Sequence, residues 1–176
     1  GGGAGGGAAR PPLSLVLCAA VSHSQACVRI ALRYQPTRSV RSALAACAVS
    51  GAAECLQLLL SEGLASPRAT DGAARLVDTC DGDGISLLML AALHGHEACV
   101  GVLLEHGAAV DLRATSKRWS VLHFAAAAGD DVVPIAEQLL AAGADAHLES
   151  ADGATPAQLA ELLGYGAMQR ALSVGA

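Results

Sequence analysis

Apolar and polar positions follow one pattern four times along the chain. Each copy opens on an apolar run rich in small residues, breaks at a glycine, resumes as a second apolar run and closes at another glycine. One copy reads Ser86-Leu87-Leu88-Met89-Leu90-Ala91-Ala92, Gly95-His96, Ala98-Cys99-Val100, Val102-Leu103-Leu104, Gly107-Ala108. The next reads Ser120-Val121-Leu122-His123-Phe124-Ala125-Ala126, Gly129-Asp130, Leu139-Leu140, Gly143-Ala144-Asp145, and its second helix is expected to be longer by two residues around Pro134. Upstream, Ser42-Ala43-Leu44-Ala45-Ala46-Cys47-Ala48, Gly51, Glu54-Cys55-Leu56, Leu58-Leu59-Leu60, Gly63 fits as well. Near the end, Asp152-Gly153-Ala154-Thr155-Pro156-Ala157-Gln158-Leu159-Ala160, Gly164-Tyr165, Met168, Leu172 opens alike and closes short. Apolar stretches of this length, punctuated by glycine, predict paired short helices and an all-α fold.

Taking Leu44, Leu88, Leu122 and Ala157 as equivalent points, the spacings are 44, 34 and 35 residues. Two of these lie near a ~33-residue period, and the first is that period plus an insertion. The offsets resemble the ankyrin repeat, with its Thr-Pro-Leu-His-x-Ala-Ala, Gly-His and Val-x-x-Leu-Leu-x-x-Gly-Ala-Asp signatures, over roughly residues 42 to 173. Ser120-Val121-Leu122-His123 keeps the Leu and His but lacks the Pro; Thr155-Pro156-Ala157-Gln158 keeps the Thr and Pro but lacks the Leu and His. The resemblance implies an ankyrin-repeat solenoid of stacked helix-turn-helix units joined by β-hairpin-like loops. It also implies that the ring of His123 bonds loop backbone and ties adjacent hairpins together.

Leu17-Cys18-Ala19-Ala20, His23, Ala26-Cys27-Val28 and Ile30-Ala31-Leu32 suggest a degenerate earlier unit, with its hairpin truncated around Gln35-Pro36-Thr37. The expected division is a Gly/Ala/Pro-rich linker at 1–12 and a repeat domain at 13–176. Its units run approximately 13–37, 38–80 with an insertion at 66–80, 81–113, 114–149 and 150–174. Within the insertion Pro67, Asp71 and Gly72 oppose regular structure, while Arg75-Leu76-Val77 fits a short helical turn. The opening Gly1-Gly2-Gly3 has no initiator Met, so the chain is read as an excerpt of a longer protein, and no charged region leads into an apolar one as in a secretory signal.

Composition narrows the picture. At 53% hydrophobic the chain is not wholly disordered, and with aromatics at 2% the interior falls to Ala, Leu and Val, which suit thin stacked layers. No apolar run approaches the ~18 residues of a membrane span. Residues 1 to 41 hold five arginines and no acid, whereas residues 42 to 176 hold six bases and 16 acids, a net −10. The basic start reads either as a surface for an acidic partner or as a solvated face. With Tyr34 as its sole aromatic it offers little for base stacking, so nucleic acid is not expected as a partner.

The six cysteines contain no Cys-x-x-Cys pair. Cys27, Cys55 and Cys99 each fall four residues after His23, Gly51 and Gly95, so they share one position, on the inward face of a second helix. Helix layers ~8–10 Å apart are too distant for a disulfide that needs Cα atoms within roughly 7 Å. Reduced, buried thiols are expected, and with them an intracellular location. His94-Gly95-His96-Glu97-Ala98-Cys99 has metal-ligand residue types, yet its turn and helix should aim them apart, and Asp81-Gly82-Asp83-Gly84 lacks the next acid of a calcium loop. No phosphate loop, nucleophile elbow or His-Glu-x-x-His occurs. Catalytic, metal and cofactor sites are therefore not expected, and the chain itself is not expected to be an enzyme.

The ankyrin resemblance implies a protein partner bound on the concave surface of hairpin tips and inner helices. Mapped onto this chain, the binding candidates are Asp83, Ile85, His94, Arg113, Lys117, Arg118, Trp119 and Asp152. Trp119 lies in a loop with three bases and no acid, and reads either as a binding anchor or as a lid over Leu88 or Met89. The functional expectation is an interaction module, a scaffold or adaptor monomeric as a domain. The alternative is a substrate-targeting or regulatory segment of a larger enzyme such as a ubiquitin ligase, kinase or acyltransferase.

Overall fold

The computed structural model describes Ser24, residues 40–64 and residues 76–174. The linker at 1–12, the degenerate first unit apart from Ser24, its Cys18 and Cys27, and residues 66–75 of the insertion lie outside the described residues. Among the described residues eight α-helices run α1 Val40–Ser50, α2 Ala53–Leu64, α3 Leu87–Leu93, α4 Glu97–Glu105, α5 Val121–Ala128, α6 Val133–Ala141, α7 Pro156–Leu163 and α8 Gly166–Val174. Short 3-10 turns at Leu76–Asp78 and Asp130–Val132 complete the set, the first of them where the end of the insertion was expected to turn.

Local chemistry sets the helix starts. Ser86 accepts the Met89 N–H (3.3 Å) at the head of α3. At α7, Thr155 accepts the Gln158 N–H (3.3 Å) while Gln158 Oε1 accepts that of Thr155 (2.9 Å), so exposed donors are met reciprocally before Pro156 enters the first turn. One expectation is corrected here. The two extra residues of the fourth unit do not lengthen its second helix: α6 spans nine residues, as α4 does, and the 3-10 turn takes up the surplus. Pro134 explains this, because a residue without an N–H is accommodated in the first turn of a helix and not in its interior.

The first helices of each pair form one row, α1 against α3, α3 against α5 and α5 against α7; the second helices form another, α2, α4, α6 and α8. Between the rows lies a continuous core in which Leu44, Leu56, Leu59, Leu88, Leu103, Leu122, Ile135, Leu139 and Met168 are fully buried. Each layer is thin, and its burial depends on its neighbours.

Successive units interlock at the turns between their helices. Gly51 has φ +77°, and a Cβ there would lie 2.8 Å from Nδ1 of His96, whose Nε2–H donates to the Val49 carbonyl (2.8 Å). The same meeting recurs one unit on, between Gly95 and Val132, and again between Gly129 and Tyr165. Asp130 adds a polar tie by accepting the Met168 N–H at the start of α8 (2.8 Å).

Cys47, Cys55 and Cys99 are buried free thiols, and the Cys99 thiol points at the Cys47 carbonyl (3.7 Å). Burial pushes Cys47 up to about 12 and Cys99 up to about 11, so both stay protonated and pack as small hydrophobes.

Candidate binding surface

The hairpins ahead of α3, α5 and α7 are joined into one edge by hydrogen bonds between units. In the first of them the Asp81 carboxylate accepts the N–H groups of Asp83 and Ile85 (both 2.9 Å), a turn that Asp favours because its side chain can stand in for a backbone acceptor. Gly84 follows at φ +73°, and a Cβ there would sit 3.1 Å from the Thr115 nitrogen. That closeness lets the Thr115 N–H and hydroxyl both donate to the Asp83 carbonyl, at 2.8 and 2.6 Å. One unit further on, the Ala151 N–H donates to the Lys117 carbonyl (2.8 Å).

His123 closes the edge from beneath. Its Nδ1 accepts from the Ser120 N–H (3.2 Å) and hydroxyl (2.9 Å), so Nε2 carries the proton and donates to the Ala154 carbonyl of the next hairpin (3.0 Å). The ring is fully buried, and that burial lowers its pKa below the usual imidazole value; the bond to Ala154 opposes the shift and the Arg113 charge adds to it. The tie between hairpins is the one the repeat resemblance implies.

The residues singled out from sequence fall into three groups. Arg113, Lys117, Arg118 and Trp119 form a knot at the middle hairpin. Arg113 donates to the carbonyls of Arg118 (3.1 Å) and Glu149, so its guanidinium braces backbone. Trp119 is half-buried, stacked on His123 with centroids 6.1 Å apart and edge-on to Phe124 at 5.4 Å, with Lys117 Nζ 4.6 Å from its centroid. Asp83 and Asp152 are exposed on the flanking tips, and Ile85 is half-buried against the core. His94 sits apart, exposed at the far end of α3, its ring stacked 6.2 Å from that of His96. Cys99 is buried away from both histidines, and among the described residues no three His, Cys, Asp or Glu side chains converge as metal ligands.

The resemblance maps Leu93 beside His94 onto the partner-facing surface, and register adds the counterparts of Leu93 that sequence reasoning missed. Five residues after each of Leu44, Leu88 and Ala157 stand Val49, Leu93 and Leu162, exposed by 42, 36 and 78%; Leu163 beside the last is 48% exposed. These stand at or one residue before the ends of α1, α3 and α7, the ends away from the hairpins, and the fourth unit has the half-buried Ala127 at this offset. Leu162 and Leu163 were legible from the same offset that places Leu93.

The same register aligns the hairpin tips. Asp83-Gly84, Lys117-Arg118 and Asp152-Gly153 each stand five and four residues before Leu88, Leu122 and Ala157. The second residue of each pair is left-handed, at φ +73°, +53° and +77°. Arg118 is the one described residue other than glycine with positive φ, a conformation that costs an L-residue roughly 1–2 kcal/mol.

Residues 70–148 match the family model described as ankyrin repeats (3 copies). No curated protein matches the chain.

Proposed function

We propose that this chain, whose repeats are ankyrin repeats, is a protein-interaction module that binds a partner along its hairpin edge and the exposed ends of its first helices. Ankyrin repeats generally mediate protein–protein interaction, and the observation that carries the reading for this chain is two sets of exposed residues repeated in one register. Val49, Leu93 and Leu162 are apolar residues exposed at the far ends of three first helices, and the tips at Asp83, Lys117 and Asp152 are exposed polar positions ahead of the helix starts. The hydrogen bonds that run from hairpin to hairpin hold this surface in shape before binding, which reduces the ordering cost of association.

Ankyrin-repeat domains are typically non-catalytic, and we read this one as acting through binding alone, as scaffold or adaptor. Free buried thiols at Cys47, Cys55 and Cys99 support a reducing, intracellular setting. No helix among the described residues is long and apolar enough to cross a membrane. The expected units at 81–113, 114–149 and 150–174 serve in this reading as the frame for the surface.

The reading is tested by proximity labelling in cells followed by binding assays with the purified candidate. The pair Leu93→Asp and Leu162→Asp places charge at two of these exposed sites, so thermal stability should hold while binding falls at least ~10-fold, the scale of losing interface core contacts. Undiminished binding by a folded variant would place the interface elsewhere.

A further inference from the structure

The middle hairpin keeps a residue that its own backbone disfavours. Its neighbours solve the left-handed tip position with Gly84 and Gly153, yet here the chain places Arg118. Nothing within the fold repays this: among the described residues the Arg118 side chain has no hydrogen bond or ion pair, its one polar contact being its carbonyl, which accepts from Arg113. Lys117 beside it is exposed, with its ammonium over the Trp119 ring and no carboxylate in contact. In residues 76–174 there are 13 acids and four bases, and three of those bases are Arg113, Lys117 and Arg118.

We propose that the Lys117-Arg118 tip is a socket for a single acidic residue of the partner protein. This rests on the reading of the hairpin edge as part of the binding surface, and adds the chemistry of what binds there. Charge decides the occupant. An arginine guanidinium and a lysine ammonium with no internal carboxylate suit one acid of the partner, which Arg can take through paired hydrogen bonds. Trp119 is a positioning residue: its ring holds the Lys117 ammonium at the tip by cation–π attraction before any partner arrives. Asp83 and Asp152, exposed on the flanking tips, repel further acids and so set the register of a short motif against a polyacidic one.

The decisive variant gives the tip its neighbours' sequence: Lys117→Asp with Arg118→Gly. Short random peptides displayed on phage are selected against the full chain and against this variant, and enriched peptides are synthesised for affinity measurement by fluorescence polarisation. The wild type should enrich peptides that carry a single Asp or Glu. Their affinity for the variant should fall at least ~10-fold, about 1.4 kcal/mol, while its melting temperature is unchanged or higher. Enrichment of neutral or basic peptides, or affinities for the variant within about twofold of wild type, a difference too small for a lost charge pair, overturns the proposal. The pair Leu93→Asp and Leu162→Asp separates the two claims. If it abolishes binding and the tip exchange does not, the surface stands and the socket fails; if no peptide is enriched, or enriched peptides ignore both variants, both fail.

Discussion

The hairpin between α4 and α5 and the two that flank it follow one backbone path but are held on it by different means. The flanking tips need little help, because Asp83-Gly84 and Asp152-Gly153 combine a residue suited to turns with one free to take positive φ. The middle tip has a lysine and an arginine, and its path is enforced from outside: by Arg113 on the Arg118 carbonyl, by the Trp119 ring on His123 and Phe124, and by His123 on Ala154. A conformation that is intrinsic to two hairpins is imposed on the third by its surroundings. What the imposed version gains is a cationic side chain pointing outward where the others have none.

If that contrast is right, the largest loss should come from His123, the centre of the imposed arrangement. His123→Ala removes a fully buried ring and strands the Ser120 N–H and Ala154 carbonyl, and should cost about 3 kcal/mol in a urea denaturation curve. Gln158→Ala, at the equivalent and exposed position of the next unit, should cost under about 1 kcal/mol. Equal losses would erase the distinction. The same histidine supplies a pH signature. Its folded pKa lies below the unfolded value, so the unfolded chain takes up a proton first on acidification. The stabilisation is complete above pH ~6.5 and is lost as pH falls through the window below it. A melting temperature that drops across that window in the wild type and less in His123→Gln would bear this out.

Trp119→Ala should come next, at about 2 kcal/mol, since the ring is half-buried but makes two aromatic contacts. Ile85→Ala, its counterpart on the preceding hairpin, should cost nearer ~1 kcal/mol. Backbone changes give the most pointed effects. Gly84→Ala should destabilise by roughly 1–2 kcal/mol, because its φ is +73° and a methyl would press on the Thr115 nitrogen. Arg118→Gly should do the reverse and stabilise by up to ~1 kcal/mol, strain relief being partly offset by the freer unfolded chain. A destabilised Arg118→Gly would show that the arginine serves the fold.

Much of the architecture can be read from residue order because each repeat states the same physics again. Small and branched apolar residues at helical spacing and glycine at the turns led to the paired helices and to the buried sites of Cys55 and Cys99. The surface was less legible. Positive φ is announced by glycine and concealed by arginine, so nothing in Lys117-Arg118 signals the path it shares with Asp83-Gly84. Arg113 resembles a free surface cation until the carbonyls it reaches, at Arg118 and across 36 residues at Glu149, are brought beside it by the stacking. The surplus of the fourth unit was misassigned to α6 because Pro134 was counted as lengthening a helix that it instead begins.

The turn glycines bear on how such an array can grow or shrink. Gly51 is matched to the imidazole of His96, Gly95 to the isopropyl group of Val132 and Gly129 to the phenol ring of Tyr165, so each joint is a different fit between one bare backbone and one particular side chain. Excising residues 81–113 would bring Val132 to face Gly51, leaving a gap where the imidazole had been and the Val49 carbonyl without its donor. Units of this chain are therefore alike without being interchangeable, and lengthening is least disruptive at an end, where only one joint has to be invented.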